Sequence, residues 1–112
     1  MMIVIPYPPS VNRIWRSVKG RTILSKEYRE YRTMAARILG VNPAPSGARI
    51  RVCIHATMPD RRRRDIDNLG KVALDILTHA GMWGDDSQID DLRIIRAGIK
   101  KPGRLEIEIE EL

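Results

Sequence analysis

Phenylalanine is missing from this 112-residue chain, cysteine occurs once and histidine twice. Without Phe the core must be filled mainly by aliphatic side chains, helped by two Trp and three Tyr. One cysteine excludes a disulfide framework, and with only two histidines beside it an ordinary structural zinc site has too few ligands. A reducing, cytoplasmic setting fits that economy. Long apolar runs are absent too: the opening Met1-Met-Ile-Val-Ile5 is too short for a membrane span or a signal-peptide core, and no basic residue precedes it. It reads as a buried strand. Repeats and low-complexity segments are also lacking, and no stretch calls for a second domain, so residues 1–112 are expected to form one.

Negative charge is the scarcer sign. Twenty Lys and Arg against fourteen Asp and Glu leave a net charge of +6 and a pI near 10.0. That points toward a polyanionic partner without naming one. With 43% hydrophobic and 30% charged residues the composition is that of an ordinary globular chain, large enough for a core and small enough to gain from dimerisation.

Along the chain, three prolines in Pro6-Tyr-Pro-Pro9 forbid helix and start a loop. Arg13, Arg16, Lys19 and Arg21 make the loop basic, Trp15 sits among the charges, and Gly20 marks a hairpin turn before Thr22-Ile-Leu24. Asn12 and Arg13 are candidates for contacts to phosphate or sugar, set against the plainer reading of a solvated basic loop. Ser25 offers an N-cap, and Tyr28, Tyr31, Ala35, Ile38 and Leu39 recur at helical spacing, predicting a helix over 26–39 that Gly40 stops. From Arg49 to Met58 apolar and polar residues alternate, as in a half-buried strand. Cys53 and His55 fall on its polar face, where a structural role is the simpler reading. A second helix is predicted over 67–80, with Leu69, Val72, Ala73, Ile76 and Leu77 turned inward and Gly81 closing it. Gly70 inside it costs about 0.5–1 kcal/mol relative to Ala, so the close approach of another backbone, a partner helix or DNA, is expected there. Leu92 and Ile94 are out of phase with Ile95, Ala97 and Ile99, which suggests a bulge near Ile94 or a strand buried on both faces. Lys101-Pro-Gly103 reads as a turn joining that strand to the alternating Leu105, Ile107 and Ile109 in a hairpin, with the glutamates between them placed to pair with Arg49 and Arg51.

The chemistry is concentrated in Met58-Pro-Asp-Arg-Arg-Arg-Arg-Asp-Ile-Asp-Asn-Leu-Gly-Lys71 and in the acidic turn Trp83-Gly-Asp-Asp-Ser-Gln-Ile-Asp-Asp91. The planar guanidinium groups of Arg61, Arg62, Arg63 and Arg64 suit bidentate contact with phosphate. Clustered Asp suits Mg²⁺, which takes oxygen ligands in an octahedron. Two carboxylates about 4 Å apart repel by roughly 4 kcal/mol at an effective dielectric near 20, a cost that a divalent cation removes. Helix capping is the plainer role for Asp65, Asp67 or Asn68; it needs one such residue and leaves the arginines unexplained. Lys71, four residues past Asp67, lies on the same helix face. A phosphate grip beside a metal cradle is what phosphodiester hydrolysis requires. Asp85, Asp86, Asp90 and Asp91 are equal candidates for a third ligand on this evidence. A non-catalytic DNA-binding module would account for the arginines but not for the D-x-D-N with Lys71; a ribonuclease or nucleotide hydrolase would share the carboxylates.

Together with Pro8-Pro-Ser-Val-Asn-Arg13 and Gly81-Met-Trp-Gly-Asp-Asp86, that central run closely resembles the RusA family of Holliday-junction resolvases over nearly the whole chain. The resemblance implies a Mg²⁺-dependent crossover junction endodeoxyribonuclease acting as a homodimer on four-way junction DNA, with no small-molecule cofactor and no membrane. It implies metal-binding catalytic carboxylates at Asp65, Asp67 and Asp86 and a catalytic lysine at Lys71. DNA contacts are expected from Arg61 to Arg64, Asn68, Asn12 and Arg13. The implied fold is α+β, a single domain with a mixed, largely antiparallel sheet and two main helices.

Overall fold

The computed structural model describes residues 2–10, 15–40 and 47–112. Asn12 and Arg13 lie outside the described residues, as does the side chain of Trp15. The elements in order are β1 (Met2–Pro6), β2 (Trp15–Val18), β3 (Arg21–Leu24), α1 (Lys26–Leu39), β4 (Ile50–Met58), α2 (Ile66–His79), a 3-10 turn (Asp86–Gln88), β5 (Ile89–Ile99) and β6 (Arg104–Glu111). The class is α+β. The main sheet has the order β1-β6-β4-β5, antiparallel at its first two pairings and parallel between β4 and β5.

Both helices are where the apolar spacing predicts them, and for the predicted reasons. The Tyr28 amide donates to Ser25 Oγ at 3.2 Å, which starts α1. At the end of α2 the amides of Gly81 and Met82 donate to the carbonyls of Thr78 and Leu77, a double closure that needs the positive φ of Gly81. Helix α2 buries two stripes: Leu69, Ala73 and Leu77 pack on the sheet, while Val72 and Ile76 pack against Tyr28, Tyr31 and Ala35 of α1. Asp67 and Lys71 therefore lie on its remaining, solvent-facing side. The hairpin of β2 and β3 turns at Lys19 and Gly20, both with positive φ, as a tight two-residue turn requires.

Four expectations need correcting. β1 is a half-buried edge strand rather than a buried one, with Ile5 in the core while Met2 and Val4 are exposed. Ile38 is half-exposed, outside the face of Tyr28, Tyr31 and Ala35 by which α1 packs on α2. Gly70 is approached by a side chain, not a backbone: a Cβ there would stand 2.3 Å from Ile94 Cδ1, so the glycine lets α2 settle onto β5. Finally, β5 and β6 form no hairpin. β4 lies between them, and β5 is paired in parallel with β4, with register shifts that skip Asp90 and Ala97 rather than a bulge at Ile94.

The lost hairpin has a visible cause. After β5 the chain crosses the end of β4, where the Lys100 amide donates to the Met58 carbonyl at 2.8 Å. Gly103 then passes so close under β4 that a Cβ would be 2.9 Å from Pro59 N and 3.0 Å from the Thr57 carbonyl oxygen, at a φ of 85°. Both neighbours are backbone and cannot swing aside. Gly103→Ala is expected to destabilise the protein by on the order of 3 kcal/mol, measured by urea unfolding; a loss below about 0.5 kcal/mol would mean that this crossing is not tight in solution.

Candidate active site

The Arg61–Arg64 run follows β4 and leads into α2, so it lies at the carboxyl end of a strand and the amino end of a helix, a place where backbone N–H groups and the helix dipole favour anions. The turn is pinned from several sides. Asp60 accepts from the Arg62 amide at 2.8 Å and from both terminal nitrogens of Arg64 at 2.6 and 3.1 Å. Arg64 also lies over the Tyr7 ring, 5.6 Å from its centroid, and its carbonyl accepts from Arg96 of β5 at 2.5 Å. Arg61, Arg62 and Arg63 are exposed, whereas the Arg64 side chain keeps only 21% of its accessibility. Two of the five N–H donors that a guanidinium carries are thus committed to Asp60.

Asp60 was not among the residues singled out from sequence. The signal available was its two-residue spacing to an amide in a Pro-Asp-Arg-Arg turn, the ordinary Asx-turn pattern. Hydrogen bonds from Arg64 and the Arg62 amide hold its carboxyl at about 2, below the usual 3.8. Because the folded value is the lower one, the stabilisation is fully present above the unfolded pKa and fades as pH falls from about 4 through about 2. Asp60→Asn is therefore expected to lower the Tm at pH 6, with the gap from wild type closing toward pH 2; a gap independent of pH would place the effect elsewhere.

Which carboxylates remain uncommitted is informative. Asp65 occupies the N-cap position of α2, yet its side chain makes no capping hydrogen bond. The plainer role for it is thus not used. Asp85 caps the 3-10 turn, accepting from the amide and hydroxyl of Ser87, while Gln88 bonds back to the Asp85 amide. Asp90 is held by Arg49, and Asp91 by Arg51 and Arg93. These hydrogen bonds push all three carboxyls below their ordinary range. Asp86 is different. It and Asp65, Asp67 and Lys71 are exposed and make no side-chain hydrogen bond or ion pair within the described residues. Of four acidic candidates in the second segment, only Asp86 is left uncommitted.

The structure does not bring all of these groups together. Asp65, Asp67, Asn68 and Lys71 share the first turns of α2, beside the arginines. Asp86 lies near the other end of the helix: Arg49 donates to the Ser87 carbonyl at 2.8 Å and Gln88 donates to the Ala48 carbonyl at 2.9 Å, so this turn sits by the start of β4. Among the described residues no three His, Cys, Asp or Glu side chains are close enough to hold a metal ion.

A groove of about 1000 Å³ runs between the arginine turn, α1 and the Pro-rich segment after β1. Arg62, Arg63, Asp65 and Asn68 form one wall, Tyr7, Pro8 and Pro9 another, and Glu27, Glu30 and Tyr31 of α1 a third. Tyr31 fastens that side, its hydroxyl donating to the Pro6 carbonyl at 2.5 Å, and burial pushes its phenol upward in pKa. Trp83 takes no part: it is 2% exposed, with Nε1 donating to Thr78 Oγ1 at 2.8 Å. No helix among the described residues is long and apolar enough to cross a membrane.

The family model for endodeoxyribonuclease RusA matches residues 6–110. The chain belongs to the RusA family. It is 45% identical over 112 residues to the crossover junction endodeoxyribonuclease rusA of Enterobacteria phage 82 and 46% identical to the RusA of Escherichia coli K12, covering 98% of this chain and 93% of the relative in each case. The Shigella sonnei RusA is 45% identical over the same span. Membership in the RusA family implies a divalent-metal-dependent nuclease. The donors fit such an ion in kind, being uncommitted carboxylate oxygens, but one chain does not close them around it.

Proposed function

We propose that this protein resolves four-way DNA junctions as a homodimeric, Mg²⁺-dependent crossover junction endodeoxyribonuclease in the cytoplasm. The observation that carries the reading is the division among acidic residues: Asp60, Asp85, Asp90 and Asp91 are all spent on structure, whereas Asp65, Asp67 and Asp86 are exposed and uncommitted. Exposed carboxylates beside an arginine row disfavour DNA on charge alone, so a catalytic use explains them better than binding does.

Asp65 and Asp67, with Asp86, are the residues proposed to hold Mg²⁺, which when bound supplies a polarised phosphoryl oxygen and an activated water. Everything else falls to the chain itself. Arg61, Arg62 and Arg63 grip phosphates flanking the scissile one, and Arg64, already oriented by Asp60, offers its remaining N–H groups. Asn68, one helical position past Asp67, steadies the strand. Lys71 holds its ammonium on the face of Asp67 and balances charge on the phosphoryl or leaving oxygen. Asn12 and Arg13 extend the grip from the basic N-terminal loop.

The test is incubation of the protein with a mobile four-way junction, a linear duplex of the same sequence and a single-stranded RNA, in Mg²⁺ and in EDTA. Paired nicks in the junction alone, only with Mg²⁺, are expected. Retention of the junction without any nick would make the protein a binding module, and preferential cutting of RNA would make it a different nuclease.

A further inference from the structure

The polar face of β4 carries two metal-ligating side chains that the proposed nuclease chemistry does not use. Val52, Ile54 and Ala56 are buried in the core that α2 covers, so Cys53 and His55, alternating with them, share the opposite face of the sheet, where both are half-buried. Cys53 Sγ and His55 Nε2 stand 3.4 Å apart. A Zn²⁺ ion takes a thiolate sulfur at about 2.3 Å and an imidazole nitrogen at about 2.0–2.1 Å, and at a tetrahedral angle those two bonds place the donors about 3.5 Å from one another. The pair is therefore already spaced as two corners of a tetrahedral site. A hydrogen bond between them, the plainer reading of that spacing, holds the same two atoms in the same place.

A third ligand stands on the neighbouring strand. β6 sets Glu108 directly opposite Cys53 and Glu106 opposite His55, and residues that face each other across antiparallel strands share a face, with Cβ atoms about 4.5–5.5 Å apart. Glu106 is engaged by Arg104, whose Nε donates to it at 2.8 Å. Glu108 is exposed and makes no hydrogen bond or ion pair within the described residues. In the present side-chain positions no three such donors converge among the described residues, so closing the site requires the Glu108 carboxylate to rotate toward Cys53, a movement in which it gives up no partner. On the other flank Cys53 faces Arg93, whose guanidinium is turned to Asp91.

We infer that Cys53, His55 and Glu108 form a site for a thiophilic divalent cation, Zn²⁺ by the character of its donors, with water in the fourth position. Thiolate and imidazole select against Mg²⁺, which takes oxygen ligands. The site is thus chemically separate from the carboxylates at the start of α2, and it does not depend on the nuclease reading. A bound ion ties β4 to β6 in the middle of the main sheet.

The test is a titration of the reduced protein with Co²⁺ in excess Mg²⁺, followed by near-ultraviolet absorption, with Zn²⁺ then added as competitor. The chain has one cysteine, so a thiolate-to-cobalt charge-transfer band can arise only at Cys53, and ions held by carboxylates alone are silent there. The band is expected to saturate at one Co²⁺ per chain, to be abolished by Zn²⁺ and by Cys53→Ala, and to be unchanged in Asp67→Asn. His55→Gln and Glu108→Gln are each expected to weaken Co²⁺ binding by about 10-fold or more, since even the outer partners of metal ligands are worth about 10- to 100-fold. Glu108 is exposed and unpaired among the described residues, so its variant keeps the fold even if His55→Gln does not. Absence of the band in the wild type, or Co²⁺ affinity unchanged in Glu108→Gln, overturns the three-ligand site and leaves Cys53 and His55 as a hydrogen-bonded pair. Neither readout involves DNA cleavage, so failure here and failure of the junction assay are distinguishable.

Discussion

Asp67→Asn is expected to reduce junction cleavage by about 10²- to 10³-fold at saturating Mg²⁺, the scale on which loss of one charge-stabilising group at a reacting phosphate is felt. Junction affinity is expected to hold or to tighten. The side chain is exposed on the free face of α2 and makes no hydrogen bond or ion pair within the described residues, so the change removes nothing from the fold and takes one negative charge from the proposed path of the DNA. A filter-binding isotherm beside single-turnover nicking separates the two effects. Wild-type cleavage by the variant would remove Asp67 from the reaction, and weakened binding with unchanged turnover would make it a DNA contact. Asp85→Asn is the contrasting control: its carboxylate caps the turn before β5, and stability rather than chemistry is what it is expected to change.

Local signals carried most of the fold. Ser25 and Gly40 bracket α1, and the five inward residues named for α2 are all buried. What local signals cannot carry is which strand lies beside which. Two alternating stretches joined by Lys101-Pro-Gly103 look like a hairpin, because the turn residues and the period of two are the same whether the partners are adjacent or separated by a third strand. The difference is made by β4, whose uninterrupted burial of Ile50, Val52, Ile54, Ala56 and Met58 marks it for the sheet's interior. That pattern is visible in the sequence, but it does not say which edge β5 takes. Gly70 teaches the same lesson at one residue. Its smallness was legible; that Ile94 fills the space depended on the parallel register.

The candidate active-site residues divide along similar lines. The arginine run and the start of α2 are contiguous in sequence, so their proximity follows from the helix alone. Asp86 was selected by family resemblance, and its freedom from structural duty becomes visible only when Arg49, Arg51 and Ser87 are seen to claim its neighbours. That it forms no three-carboxylate cluster with Asp65 and Asp67 among the described residues goes with the parallel pairing of β4 and β5, which the residue pattern did not predict.

Replacing Arg61, Arg62 and Arg63 together by Ala is expected to weaken junction binding by about 10²- to 10³-fold at 0.1 M salt and to flatten the log–log salt dependence by about 2.7, since each phosphate contact contributes roughly 0.9 to the slope. These three side chains are exposed, and Arg62 retains 81% accessibility even with Asp60 at 3.9 Å from its Nε. Arg64→Ala has a different expected outcome. Its guanidinium holds Asp60 and covers Tyr7, so removing it strands the Asp60 carboxylate and loosens the turn that leads into Asp65. Cleavage at saturating junction is therefore expected to fall along with affinity, whereas the triple variant, given enough DNA, is expected to keep most of its turnover. Equal loss of slope and of turnover in the two proteins would show that the four arginines act as one undivided phosphate grip, with no separate part for the Asp60–Arg64 pair.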